Sequence, residues 1–386
     1  RAAPPQTLFD SKQLMDNAPW FWDEAHVTGS GVTTAWSKDR ASTIITTTAG
    51  VAAKFQRRTF QRIAYQAGKS QLIEMTGILD KDGMSGAGVK QRIYYGDDEN
   101  GLGFVMDEGV PKLLRRSKGT GTVVDNHILR EFWYDPMDGT GPSGITIDFT
   151  KTHVFAVTFA WLGVAGSFFG VIIGNRFKLI HHYDPANVLD VVYMSTPNLP
   201  MTYEIEVTAA AAEAKIECIC ATAISEGQSD DIGLDYSISN ADTPISGATK
   251  GALYVLGAVR LKSTHLGANI IIKTVTAMSN TNGGHFEWVL LWNPTVDTPL
   301  TFVDKADSSI QYAVGAGEKI TAENLATDQG YVAAGNKGGF FAGAELKTSL
   351  RLGAAIDGTL DEIYLCGRPL SNGVNMFGSL TVKDLT

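Results

Sequence analysis

The stretch Val154–Gly174, VFAVTFAWLGVAGSFFGVIIG, carries no charged residue. At that length it could cross a bilayer as a helix, for which about 20 apolar residues suffice. Gly166, Gly170 and Gly174 even give it the small-xxx-small spacing of packed membrane helices. Its internal pattern points elsewhere. From His153, side chains alternate between a large set (His153, Phe155, Val157, Phe159, Trp161) and a smaller one (Val154, Ala156, Thr158, Ala160). Period 2 is the signature of a strand with two unlike faces. Gly163, Gly166 and Gly170 would each cost a helix about 1 kcal/mol relative to alanine. Gly174-Asn175, set between Val171–Ile173 and Phe177–Ile180, is a two-residue hairpin signal. The segment therefore predicts adjoining strands of a β-rich body, with no membrane insertion.

Composition agrees with that reading. Of 386 residues, 44% are hydrophobic and 19% charged, with 41 glycines; the charged share lies below the ~25% usual in globular proteins. This suits strands, tight turns and large subunit contacts better than a helical bundle with charged outer faces. The net charge is −9, and the basic pairs Arg57-Arg58 and Arg115-Arg116 stand alone within strand-like runs, where they are expected to be solvated. Nucleic-acid binding needs a concentrated basic surface and is not expected. Cys218, Cys220 and Cys366 are too few for a disulfide framework. Spaced two apart on a strand, Cys218 and Cys220 should share a face, and all three read as reduced, buried thiols. No signal-peptide pattern or usable glycosylation sequon occurs, Asn293-Pro294-Thr295 being spoiled by its proline. The opening at Arg1 leads us to expect an upstream piece that was processed, disordered or omitted.

The expected architecture is all-β: two β-sandwich domains of jelly-roll, concanavalin-like type, preceded by an N-terminal arm. The arm spans residues 1–30, with a short helix from Asp10 or Ser11 to Met15 stopped by Pro19, then the aromatic knot Trp20-Phe21-Trp22. Residues 31–225 form the first sandwich, lectin-like in its run of short strands and Gly/Asp turns. Its strands are expected at 42–48, 54–63, 70–79, 90–95, 103–106, 112–116, 127–134, 145–149, 154–162, 167–173, 176–183, 202–207 and 215–224. A linker rich in Ser, Asp, Gly and Asn occupies 226–250. The second sandwich, 251–386, has strands expected at 253–262, 269–278, 286–292, 300–303, 309–314, 349–352 and 362–367. Within it, 315–343 reads as a long loop with a helical turn at 322–325.

Candidate chemistry is sparse. Glu204 and Glu206 lie two apart on one strand and share a face, as a glycosidase's acid and nucleophile could; the simpler expectation is a solvated face, with Tyr203, Ile205 and Val207 turned inward. Asp97-Asp98-Glu99-Asn100 gathers carboxylates that could hold calcium, but glycine falls one place early for an EF-hand loop, so an acidic hairpin tip is expected. His181 and His182 should point to opposite faces and cannot jointly ligate a metal. Gly29-Ser30-Gly31 lacks the strand–Ser–helix setting of a nucleophile elbow, and Gly101-x-Gly103 lacks the helix a dinucleotide site needs. Trp133, Tyr134, Trp161, Trp288 and Trp292 could stack on sugar rings, though core positions are expected for them. No catalytic residue, metal ligand or cofactor is assigned, and no ligand-binding residue is named.

A set of local strings is distinctive: Gln71–Gly77, Met137–Gly144, Trp161–Val164, Val192–Pro200 with Tyr203–Ile205, Ile219–Gly227, Arg260–His265 and Arg351–Gly358. Through them the chain, from Gln6 to Leu380, resembles a family of virion-associated proteins of tailed bacteriophages. The resemblance implies a structural part of the virion, a fibre, spike or decoration of head or tail, and not an enzyme. It implies contacts with other virion proteins and supplies no catalytic or binding residue. Sheet edges buried against each other make a homo-oligomer, a trimer, the expected state. The alternative is a carbohydrate-binding or glycan-cleaving jelly roll, placed to meet a host-surface glycan.

Overall fold

The computed structural model describes residues 4–227, 231–333, 344–345 and 351–386. The chain divides into two compact units between residues 230 and 231. Both are all-β sandwiches, and every strand pair among the described residues is antiparallel.

The first unit contains β1 (Gln6–Lys12), β2 (Trp22–Gly29), β3 (Val32–Ser37), β4 (Ser42–Thr47), β5 (Ala53–Thr59), β6 (Gln71–Ile78), β7 (Val89–Gly96) and β8 (Gly101–Asp107). There follow β9 (Val110–Ser117), β10 (Val124–Leu129), β11 (His153–Phe159), β12 (Ser167–Ile173), β13 (Arg176–Tyr183), β14 (Met201–Val207) and β15 (Lys215–Ser225). One sheet runs β13-β12-β11-β6-β15-β4-β3, with β1 also on β15; the facing sheet runs β10-β9-β8-β7-β14-β5-β2.

The neutral stretch supplies β11, β12 and the turn into β13. No helix among the described residues is long and apolar enough to cross a membrane. Phe155, Val157 and Phe159 from β11 and Phe169 and Val171 from β12 are buried, facing Ile93, Phe104, Tyr203 and Ile205 of the other sheet. Phe104 and Phe155 meet with ring centroids 5.0 Å apart. Burying each such side chain contributes about 1.5–3 kcal/mol, and this contact between sheets fixes which face of each strand turns inward. At the hairpin, Gly174 and Asn175 have φ of 59° and 58°, the left-handed pair a type I′ turn requires. Gly170 is a packing requirement: a Cβ there would lie 2.5 Å from both the Lys178 carbonyl oxygen and the Phe177 ring.

Several expectations are corrected. The opening residues do not form a free arm with a helix: Gln6–Lys12 is β1, paired along β15, and Trp22–Gly29 is β2, paired with β5. The β-bonding of Thr7, Phe9 and Ser11 outweighs the capping signal at Asp10. Cys218 and Cys220 do not share a face. A bulge between them on β15 shifts the register against β6, so inward positions change from Ile216 and Cys218 to Ala221 and Ala223. Residues 145–149 form only an isolated bridge, Thr146 to Asp138. The strand expected at 127–134 begins earlier, at Val124, and gives way at Arg130 to a 3-10 turn.

The second unit begins inside the expected linker, which carries β16 (Leu234–Ser239) and β17 (Ile245–Gly247). Its remaining strands are β18 (Tyr254–Leu261), β19 (Ile270–Ser279), β20 (Phe286–Trp292), β21 (Thr295–Val296), β22 (Val303–Asp304), β23 (Ile310–Val314) and β24 (Ile320–Ala322). The chain ends through β25 (Leu325–Val332), β26 (Ala344–Glu345), β27 (Glu362–Pro369) and β28 (Val374–Asp384). One sheet runs β16-β28-β19-β26 with β17 also on β28, a second runs β22-β23-β18-β27-β20-β25, and β21 pairs β24. The helical turn expected at 322–325 is instead the boundary between β24 and β25. Part of the expected loop 315–343 and part of the expected strand 349–352 lie outside the described residues.

Candidate functional site

The face of the seven-stranded sheet turned away from the core carries the carboxylates singled out in the sequence. Glu204 and Glu206 do share that face, but they are not both solvated. Glu204, between Gln56 on β5 and Arg92 on β7, is 0% exposed. It accepts hydrogen bonds from Arg92, from Gln56 Nε2 at 2.6 Å and from Tyr94 Oη at 3.2 Å, with Lys54 Nζ 3.5 Å away. Glu206 takes the same Arg92 Nη1 at 2.9 Å. Burial works against the Glu206 carboxylate, yet Arg92 holds it below the usual carboxylate range. The two carboxylates thus converge on one guanidinium and not on a cleft. A glycosidic bond must lie between its acid and nucleophile, and Glu204 presents no exposed surface.

The hairpin tip 97–100 belongs to the same network. Asp97 Oδ1 accepts the amides of Glu99 and Asn100, its Oδ2 meets Arg62 at 2.5 Å, and Asp98 meets Lys54 at 2.8 Å. These carboxylates hold the β7–β8 turn against the sheet. Arg116 grips Asp125 through two bonds of 2.7 and 2.9 Å and gives a third, of 3.0 Å, to the Asp97 carbonyl. Burial opposes ionisation of Asp125, but Arg116 keeps its pKa below the ordinary value. No group of three or more potential metal-ligating side chains is assembled among the described residues. His181 and His182 stand opposite Phe169 in the core and Phe168 on the outside, respectively.

Of the aromatics considered for stacking, Trp133, Trp288 and Trp292 are buried and Trp161 is half-buried, donating its indole N–H to the Met194 carbonyl at 3.0 Å. Tyr134 departs from the core expectation and is exposed. Gly29-Ser30-Gly31 is the turn between β2 and β3, and Gly101 and Gly103 lie within β8.

The arrangement that sequence reasoning missed lies at the edge of this sandwich. There β9 and β10 of one sheet face the segment 189–193, and Arg115 of β9 reaches Tyr183 at the end of β13. A cavity of about 150 Å³ opens between Arg115, Ser117, Asn126 and Tyr193, walled by Val124, Leu189 and Val192. The Arg115 guanidinium lies over the Tyr183 ring, 4.1 Å from its centroid, and Tyr183 meets Tyr193 edge-on at 6.3 Å. Arg115 has no hydrogen-bond or ion-pair partner among the described residues, and its buried Nε is unpartnered, as are the hydroxyls of Tyr183 and Tyr193. Tyr193 is 1% exposed, and burial pushes its phenol well above the ordinary value. Buried polar groups left without partners are uncommon in folded proteins.

The neighbouring arginines make the contrast. Arg57 meets Glu24, Arg58 meets Asp98, Arg62 meets Asp97, Arg92 meets Glu204, and Arg116 meets Asp125. Arg130 donates to the carbonyls of Pro136 and Met137. The expectation that both basic pairs are solvated is corrected here: Arg57 is 0% and Arg116 5% exposed. Strand alternation sends Arg57 and Arg115 to the inward face and Arg58 and Arg116 to the outward one, where Arg116 is buried against Tyr94 and Asp125. The signal for Arg115 is its parity with Leu113, a core position.

In the second unit a polar depression of about 370 Å³ is lined by Tyr236, Lys262, His265, Ser309 and Asp384. Its main polar groups are engaged locally: Asp384 accepts the Ser309 amide and hydroxyl at 2.8 and 2.5 Å, and Lys262 donates to the Lys305 carbonyl at 3.1 Å.

No family model matches the chain, and no curated protein matches it. Among solved structures, an endo-1,3-β-glucanase from Streptomyces sioyaensis aligns with TM-score 0.39 at 9% identity, covering 59% of this chain and 99% of that one. The Emp47p carbohydrate recognition domain aligns with TM-score 0.36 at 12% identity, over 59% of this chain and 99% of that one. A legume lectin-like domain from Entamoeba histolytica aligns with TM-score 0.30 at 7% identity, over 54% and 91%. At these values no residue role or ligand is carried across.

Proposed function

We propose that the protein binds carbohydrate at the edge of its first sandwich and does not cleave it. The observation that carries this reading is the cavity in which unpartnered donors of Arg115 and Tyr193 stand beside the aliphatic walls of Val124, Leu189 and Val192. A sugar ring needs that combination, since its hydroxyls require hydrogen-bond partners and its C–H faces require apolar cover; ligand pockets in general pair apolar walls with a few placed polar groups. No carboxylate lines the cavity, and Glu204 and Glu206 are committed to Arg92, which supports binding without turnover. A glycan array probed with the full chain, followed by incubation with bacterial surface polysaccharide and a reducing-end assay, tests both parts. Binding without release is expected. Release that Glu204→Gln or Glu206→Gln abolishes would overturn the non-catalytic reading, and an array with no bound glycan would overturn the binding one.

A second reading makes this module a homo-oligomeric, trimeric component of a phage virion, on head or tail, in contact with other virion proteins. It is supported by the resemblance over Gln6–Leu380 and by two large apolar side chains on β12 and β13, Phe168 and Phe177, which are 40% and 36% exposed. Exposed apolar surface of this kind marks interaction faces. Mass photometry at micromolar concentration is expected to give trimers; a strict monomer argues against the reading.

A further inference from the structure

We propose that the edge cavity selects an acidic sugar, whose carboxylate is held by Arg115 and Tyr193; this rests on the glycan reading above. Three observations converge. First, Arg115 differs from every other buried or half-buried arginine of its unit in meeting neither a carboxylate nor a carbonyl. Its guanidinium lies instead over the Tyr183 ring, 4.1 Å from the centroid. A planar fork of N–H donors held over a ring is matched to the two oxygens of a carboxylate. Second, the buried hydroxyl of Tyr193, which lines the cavity with Arg115, is also unpartnered, so the cavity has a second donor. Third, no Asp or Glu lines the cavity, so an anion there meets no like charge.

The charge count chooses among anions. One guanidinium and no lysine line the cavity, which balances a single negative charge and leaves a phosphate dianion half-compensated. The size chooses the extent of the ligand. A cavity of about 150 Å³ is smaller than the roughly 300–1,000 Å³ of pockets that enclose drug-sized molecules, so one terminal sugar unit enters and the rest of a chain lies outside. Asn126, whose side chain also lines the cavity, adds both a donor and an acceptor for ring hydroxyls.

The test uses the full chain and sugars paired by a single change. Saturation-transfer NMR and calorimetric titration are run with glucuronate against glucose, galacturonate against galactose, and N-acetylneuraminate against its methyl ester, with glucose 6-phosphate and glucose 6-sulfate as further anions. At least one carboxylate sugar is expected to bind, about tenfold or more tighter than its neutral partner, the scale of a charge-assisted hydrogen bond. Arg115→Gln should remove that preference and Arg115→Lys should only partly retain it. Tyr193→Phe should weaken the carboxylate sugar while leaving the neutral one unchanged. Arg115 has no hydrogen-bonded or ion-paired protein partner to lose, so circular dichroism melts of its variants should stay cooperative and fall by no more than the loss of its contact with Tyr183.

Equal binding of acidic and neutral sugars would overturn this proposal and leave the glycan reading standing. Preference for the phosphate or sulfate ester over every carboxylate sugar would overturn the carboxylate assignment. Carboxylate preference that survives Arg115→Gln would place the site elsewhere and overturn the proposal. No binding by any sugar would overturn both readings.

Discussion

Replacing Glu204 by glutamine separates a structural carboxylate from a catalytic one. The side chain has no exposed surface and receives Arg92, Gln56 and Tyr94. Arg92 is itself 4% exposed. Removing one partner of a buried ion pair costs about 3–5 kcal/mol, because the other charge stays desolvated. Glu206 remains on Arg92 at 2.9 Å, which puts the cost at the lower end, about 3 kcal/mol. With a urea m-value of about 3 kcal/mol/M for a unit of this size, the midpoint of the first unit should fall by about 1 M. Urea unfolding followed by near-UV circular dichroism and tryptophan fluorescence reads this. Adding Arg92→Gln should recover part of the loss, a coupling of about 1 kcal/mol or more between contacting residues. A midpoint within 0.3 M of the parent (about 1 kcal/mol) would refute the argument. So would a parental midpoint accompanied by loss of a polysaccharide-cleaving activity.

Three further outcomes follow from the same geometry. Asp125 has its pKa lowered in the folded state by Arg116, against the opposing effect of burial. Its stabilisation is therefore fully present above the unfolded carboxylate pKa of about 3.9 and is lost as pH falls through the lower folded value; Asp125→Asn should flatten the acid limb of a thermal-stability profile, and an unchanged limb would count against the pair. Glu74, on the outward face of β6, has its pKa raised by burial, so its ionisation costs stability as pH rises through the raised folded value. Glu74→Gln should raise Tm at pH 7 and leave it unchanged below about pH 4, and equal shifts at both would contradict this. Burial pushes the Cys218 and Cys366 thiols well above their ordinary range, and both are buried while Cys220 is not. Ellman's reagent should therefore find one reactive thiol in the native protein and three in urea, and a second fast native thiol would contradict the assignment.

Where alternation is uninterrupted and turns are marked by glycine, the fold is legible in the residues alone. The strands at 153–159, 167–173 and 176–183 and the Gly174-Asn175 turn all follow from their local pattern. What stays hidden depends on partners distant in sequence. β1 is a strand only because β15 lies beside it, and its local residues equally suit a helix cap. The bulge at Cys218/Cys220 arises from the pairing of β15 with β6, so the parity rule fails there. β28 escapes the sequence pattern although its burial alternates at every position: Gly378 interrupts the apolar series, and a Cβ there would make Leu256 and Leu365, 2.8 and 2.9 Å away, shift. The candidate site shares this fate. Glu204 and Glu206 show as an alternating pair, but that Arg92 binds both depends on β7 lying beside β14. Arg115 carries no motif at all, and its significance lies in what fails to stand beside it.

Whether Arg115 is left unpaired to receive a ligand can be read at its own nitrogen. In a 1H–15N spectrum the Arg115 Nε–H signal can be assigned by its loss in Arg115→Gln and followed during titration with a carboxylate sugar that binds. A progressive downfield shift of that signal is expected, saturating with the calorimetric isotherm, while the Arg92 and Arg116 signals stay fixed. A bound sugar with an unmoved Arg115 signal would contradict it.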